Sequence, residues 1–181
     1  LSESHLTKRG FLKICGATFC VFSAANLFGF PKTSQAQLAK KGLIKTKVSP
    51  YFTPLSGGEI QCDLCPKRCR VSKGKRGACR VRENRDGKYV SLVYGNPCAV
   101  HLDPIEKKPF FHFFPGTDVF SFATVGCNFR CLHCQNFELS QAREIIGEEL
   151  SPEQLVKLAK KYNCAGMAYT YNEPTVFFEY A

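Results

Sequence analysis

Three cysteines, Cys127, Cys131 and Cys134, stand in the spacing Cys-x3-Cys-x2-Cys with no fourth cysteine close behind. Three thiolates can hold three irons of a four-iron cluster and leave the last iron open to a small molecule. The same logic separates open catalytic zinc sites from closed structural ones. A cluster that only transfers electrons takes four cysteine ligands. The competing arrangement is a zinc knuckle that recruits His133. It requires distortion of the short loop between Cys131 and Cys134, because His133 lies between two ligands.

A second set lies earlier: Cys62, Cys65 and Cys69, then Cys79 after a basic stretch containing Gly74 and Gly77. Two knuckles could place four thiolates around one metal, with nearby Lys and Arg offsetting their charge. Zinc and a second iron–sulfur cluster would use the same ligands, and the spacing leaves both open. Free or disulfide-paired cysteines are the plainer alternative. Cys15, Cys20, Cys98 and Cys164 are scattered and read as small buried apolar side chains.

The elements that must position these groups are legible in outline. Residues 119–125 read as a buried strand ending at Gly126, directly before the three-cysteine motif. Ser151, Pro152 and Glu153 form a helix start: a capping serine, proline in the first turn, an acid at the positive end. Leu155, Leu158, Ala159 and Tyr162 mark one face, Lys157, Lys160 and Lys161 lie toward the negative end, and Asn163 is a stop. Residues 165–171 read as a second buried strand. Strand, helix and strand in this order predict a right-handed parallel unit. The cysteine loop and Asn172 with Glu173 then face each other across one rim, where barrel enzymes carry their sites. Upstream, Asp86-Gly87 predicts a hairpin turn between strands at 79–82 and 89–94. A module that small needs a metal to staple it.

Composition is that of a globular chain: 181 residues, 44% hydrophobic and 22% charged. Of the net charge of +10, residues 1–50 carry +7 and residues 62–88 another +7, so the remainder is mildly acidic. A basic patch can serve nucleic acid, but here the positive residues interleave with cysteines that metal explains better. Lys8 and Arg9, the apolar run to Phe30 and the small residues at 34–36 have the three parts of an export signal, of twin-arginine type with Lys8 in place of the first arginine. Export or membrane association is favoured over an uncleaved cytoplasmic helix. The chain begins at Leu1 and ends within the apolar run 175–181, which suggests an N-terminal fragment.

With these residues in view, the chain resembles the radical S-adenosylmethionine superfamily, through Cys127, Cys131 and Cys134 after a strand, with His133 where an aromatic ring is common. More narrowly it looks like the AmmeMemoRadiSam system radical enzymes, relatives of pyruvate formate-lyase activating enzymes. The similarity runs through residues 62–136, including Asp103 to Pro109 and Pro115 to Thr117, and the string Tyr171-Asn172-Glu173-Pro174-Thr175. It implies an α/β fold: the first strand–helix–strand portion of a partial (β/α) barrel, preceded by a small four-cysteine β module. The expected division is a signal segment at 1–36, a linker at 37–61, the Cys-rich module at 62–117 and the start of the radical domain at 118–181.

The implied cofactors are a 4Fe-4S cluster and S-adenosylmethionine, with zinc or a second cluster at the first cysteine set. The resemblance also implies that Asn172 and Glu173 bind the amino group of S-adenosylmethionine, from a position where relatives have Gly-Gly-Glu-Pro. The implied reaction is reductive cleavage to methionine and a 5′-deoxyadenosyl radical that takes hydrogen from a substrate, in the manner of an activase. The implied partners are a reductant protein such as ferredoxin or flavodoxin, and Memo-type and AMMECR-type proteins. A nucleic-acid-binding module and an iron–sulfur electron carrier are the rival classes.

Overall fold

Asp86 and Gly87 both adopt positive φ, 52° and 79°, and this two-residue loop folds strands β5 (Arg82–Arg85) and β6 (Lys88–Ser91) into an antiparallel hairpin. The Gly87 amide donates to Asn84 Oδ1 at 2.9 Å. The structure, a computed structural model, describes residue 42 and residues 45–181. The signal-like segment 1–36 lies outside the described residues. Among the described residues no helix is long and apolar enough to cross a membrane.

Strand β1 (Lys47–Val48) adds to the hairpin in the order β1-β6-β5. A second antiparallel sheet takes β2 (Phe52–Pro54), β3 (Ile60–Cys62) and β4 (Arg70–Val71) in chain order. Buried Asn84 joins the two sheets, donating through Nδ2 to the carbonyls of Gly58 at 2.9 Å and Val71 at 2.8 Å. The expected linker at 37–61 is therefore corrected, because its second half supplies β1, β2 and most of β3. Strands of two or three residues are too short to show an alternating pattern, so their sequence reads as linker. The expected hairpin strands also shift, to 82–85 and 88–91, because the turn sits at the two residues with positive φ.

The third sheet has the order β7-β8-β9, with β7 (Ala99–Pro104) antiparallel to β8 (Asp118–Ala123) and β9 (Gly166–Tyr169) parallel to it. The expected boundary at 117 separates β7 from the strand it pairs with, so the sheet begins inside the segment assigned to the Cys-rich module. Between β8 and β9 run a single turn, α1 (Phe137–Ser140), and α2 (Pro152–Lys161). Ser151 and Gln154 close a capping box at the start of α2: Ser151 Oγ accepts from the Gln154 amide at 3.2 Å, and the Ser151 amide donates to Gln154 Oε1 at 2.6 Å. After α2 the chain turns at Asn163, φ 52°. The sheet is open and three-stranded among the described residues.

One apolar core spans both halves, with Val81, Leu92 and Val93 packed together with Phe122, Leu155 and Phe177. Burying a side chain such as Phe177 contributes about 1.5–3 kcal/mol. Arg82, only 1% exposed, forms a two-pronged ion pair with Glu179. Its other contacts are Ser49 Oγ at 3.1 Å and the Val176 carbonyl at 3.2 Å. Burial alone would raise the Glu179 pKa, but the Arg82 guanidinium outweighs it and holds the carboxyl below its ordinary value.

Candidate functional site: two cysteine loops in contact

The three-cysteine motif leaves the C-terminal end of β8. Gly126 starts the loop at φ 89°, and a Cβ there would fall 2.5 Å from Val81 Cγ1 and 2.7 Å from the Cys79 carbonyl oxygen. A side chain is excluded, and the backbone of this loop lies directly on the backbone of the first cysteine group. Arg130, inside the motif, donates to the Ala78 carbonyl at 2.8 Å and to the Cys127 carbonyl at 3.2 Å.

The three thiols differ in setting. Cys127 is buried, Cys134 is partly covered and Cys131 is exposed. The Phe129 amide donates to Cys127 Sγ at 3.5 Å, and Ser140 Oγ lies 3.4 Å from Cys134 Sγ. Hydrogen bonds to sulfur are a means by which proteins tune thiolate-bound clusters. Phe129, Leu132 and Phe137 are exposed around these thiols, and His133 also faces solvent.

Asn172 lies three residues beyond β9 and reaches across to this loop. Its Nδ2 donates to the carbonyls of Thr124 at 2.8 Å and Gly126 at 2.5 Å. Both donor hydrogens are thereby used, while its Oδ1 is buried without a hydrogen-bond partner. A buried acceptor of this kind is costly unless a donor arrives, and an ammonium is such a donor. Glu173 caps the following 3-10 turn, its Oε1 accepting from the Thr175 amide at 3.3 Å and hydroxyl at 2.5 Å. Of the two residues expected at the cofactor's amino group, Asn172 thus contacts the cysteine loop, while the Glu173 side chain is engaged by Thr175.

Tyr171, at φ 67°, sets the turn that presents Asn172. Its hydroxyl donates to Asp103 Oδ2 at 2.6 Å, and Asp103 also accepts from Lys107 at 2.7 Å and Lys108 at 2.6 Å. Burial would raise the Asp103 pKa, but these donors outweigh it and hold the carboxyl well below the usual range. The string Asp103 to Lys108 therefore has a physical role that its sequence did not reveal.

In the first cysteine group Cys62 and Cys79 are buried, and Cys65 and Cys69 are partly exposed. Cys62, Cys65, Cys69 and Cys79 line one cavity of about 20 Å³, bordered by Tyr89 and Asn128. Burial, with the Cys62 and Cys79 thiols nearby, keeps the Tyr89 phenol protonated. Among the described residues no group of three or more His, Cys, Asp or Glu side chains is already gathered as a metal cage. The four thiols nonetheless line the same cavity. A larger cavity, about 490 Å³, runs along β9 beside Lys108, Phe110, Phe113 and Met167. It has the volume of a ligand pocket, yet no thiol lines it.

Sequence reasoning missed Tyr89, Arg82, Arg130 and Ser140. Only Ser140 carried a local signal, six residues after Cys134 and at the end of a helical turn.

No protein-family model matches the chain, and no solved structure matches it. The uncharacterized protein MJ0808 of Methanocaldococcus jannaschii is 48% identical to it over 132 residues. That alignment covers 72% of this chain and 40% of the archaeal protein, so the chain spans about two fifths of that relative's length.

Proposed function

We propose that the chain is part of a radical S-adenosylmethionine enzyme, with a four-cysteine module followed by the first portion of a (β/α) barrel. The observation that carries this reading is the contact across one sheet rim. The Cys127–Cys134 loop follows β8, and Asn172 past parallel β9 binds that loop's carbonyls. When bound, a 4Fe-4S cluster with one iron free of protein ligands supplies the electron that cleaves S-adenosylmethionine to methionine and a 5′-deoxyadenosyl radical.

The chain's own residues divide the remaining work. Cys127, Cys131 and Cys134 are the ligands. The Phe129 amide, which donates to Cys127 Sγ, and the Ser140 hydroxyl beside Cys134 Sγ hold these two sulfurs in place. Asn172 Oδ1 offers an acceptor to the amino group of S-adenosylmethionine, and Glu173 adds a charge-assisted one. Phe129, Leu132 and Phe137 give the thiols an apolar surround that keeps water from a radical. A ferredoxin- or flavodoxin-type protein is the reductant, and the substrate is taken in activase fashion. Memo-type and AMMECR-type proteins are the associated partners, and the signal-like segment favours export.

The test is electron paramagnetic resonance of the reconstituted, reduced protein with and without S-adenosylmethionine. The signal is expected to change on addition. An unchanged signal identifies a closed electron carrier and overturns the proposal.

A further inference from the structure

The geometry points to a second metal centre distinct from the proposed cluster: Cys62, Cys65, Cys69 and Cys79 hold a single zinc ion, which fixes the floor beneath the Cys127 loop.

Two tight turns bring the four sulfurs to one place. In the first, the Cys62 amide donates to the Cys69 carbonyl at 2.8 Å and the Arg68 amide to the Cys65 carbonyl at 3.1 Å, with Arg68 at φ 43°. In the second, the Gly77 amide donates to the Arg82 carbonyl at 3.0 Å and the Arg80 amide to the Gly77 carbonyl at 2.9 Å, with Arg80 at φ 70°. Each turn thus presents cysteines beside a non-glycine residue in the left-handed region, a conformation that persists only where its surroundings enforce it. Gly77 allows the turns to meet. A Cβ there would come within 2.9 Å of the Tyr89 hydroxyl and 3.8 Å of Cys69 Cβ.

The size of the space selects the occupant. A cavity must have about 10–15 Å³ to hold one water-sized particle, and this one has about 20 Å³. That suits one ion drawing its sulfurs in to about 2.3 Å. A tetrahedral set of four thiolates is the preferred structural site of zinc. The charge left on such a centre is met by Lys67 and Arg82, which also line the cavity, and by the hydroxyl of Tyr89. No disulfide competes, since all four are unbridged thiols. A metal there would also steady the neighbouring loop: in the second turn the Ala78 carbonyl accepts from Arg130, and the Cys79 carbonyl packs against Gly126.

The experiment is metal analysis of the full chain and of a triple variant, Cys127→Ala with Cys131→Ala and Cys134→Ala, both purified after growth with zinc and iron. One zinc per chain is expected in both proteins. Iron in place of zinc, or no metal, in the triple variant overturns the proposal. Adding Cys65→Ser to the triple variant should lower bound zinc by at least tenfold, and retention of zinc would also overturn it. Should that variant fail to fold, cobalt(II) loading of the triple variant replaces it. Thiolate-to-cobalt charge-transfer absorption of a tetrahedral site is expected, and its absence refutes the assignment. Because the triple variant lacks the thiols of the proposed cluster, these results stand apart from the fate of the radical-enzyme reading.

Discussion

Cys62, Cys65, Cys69 and Cys79 surround a small cavity capped by a buried tyrosine, whereas Cys131 stands in solvent next to a fully exposed Leu132. The residue type is the same, but the first set lines one cavity while the second runs from buried Cys127 to exposed Cys131. A thiol set around a small cavity suits a single bound ion. A thiol set on an exposed loop, bordered by aromatic and aliphatic side chains, suits a cofactor that must also contact a small molecule. The difference shows that cysteine groups alike in spacing can have unlike surroundings, and the proposed division into a structural and a reactive set rests on those surroundings.

The largest effect that could break this comparison is on activity. Cys131→Ser in the complete enzyme should abolish S-adenosylmethionine cleavage and the brown cluster colour. Its thermal midpoint before cluster loading should barely move, since an exposed substitution typically changes stability by less than about 0.5 kcal/mol. Retained cleavage, measured as 5′-deoxyadenosine by chromatography, would erase the distinction between the two sets.

On the enclosed side, disruption should appear in stability. Glu179→Ala strands the buried Arg82 guanidinium and should cost about 3–5 kcal/mol in denaturant unfolding. A loss below about 1 kcal/mol would mean that Arg82 does not tie the cysteine module to the C-terminal turn.

The smallest effect at neutral pH concerns the Asp103–Tyr171 contact that sets the Asn172 turn. The folded pKa of Asp103 is depressed, so its stabilisation is present above the unfolded value of about 3.9 and is lost as pH falls through the folded one. Asp103→Asn should therefore flatten the acid limb of the stability curve below about pH 4. An unaltered acid limb would remove Asp103 from the support of that turn.

Much of this arrangement could be read in the sequence, for local reasons. Asp86-Gly87 specifies its own turn, and Ser151 with Gln154 specifies the start of α2, because each signal lies within a few residues of what it determines. The grouping of seven cysteines into two clusters was likewise plain in the sequence. The short strands at 47–54 were hidden because two or three residues show no periodicity. Arg82 meeting Glu179, 97 positions away, and Asn172 spending its amide hydrogens on Thr124 and Gly126 depend on chain crossings that no local pattern encodes. The separation of a closed from an open cysteine set was equally hidden, since it rests on Tyr89 and on the width of a cavity.

The contact of Gly126 with the Cys79 carbonyl joins two loops main chain to main chain. Substitutions elsewhere in either loop can alter charge or shape without loosening such a joint, whereas a side chain at Gly126 would force the loops apart. Amide hydrogen exchange around residues 78–80 and 125–127 should accordingly slow in concert when a metal enters either side.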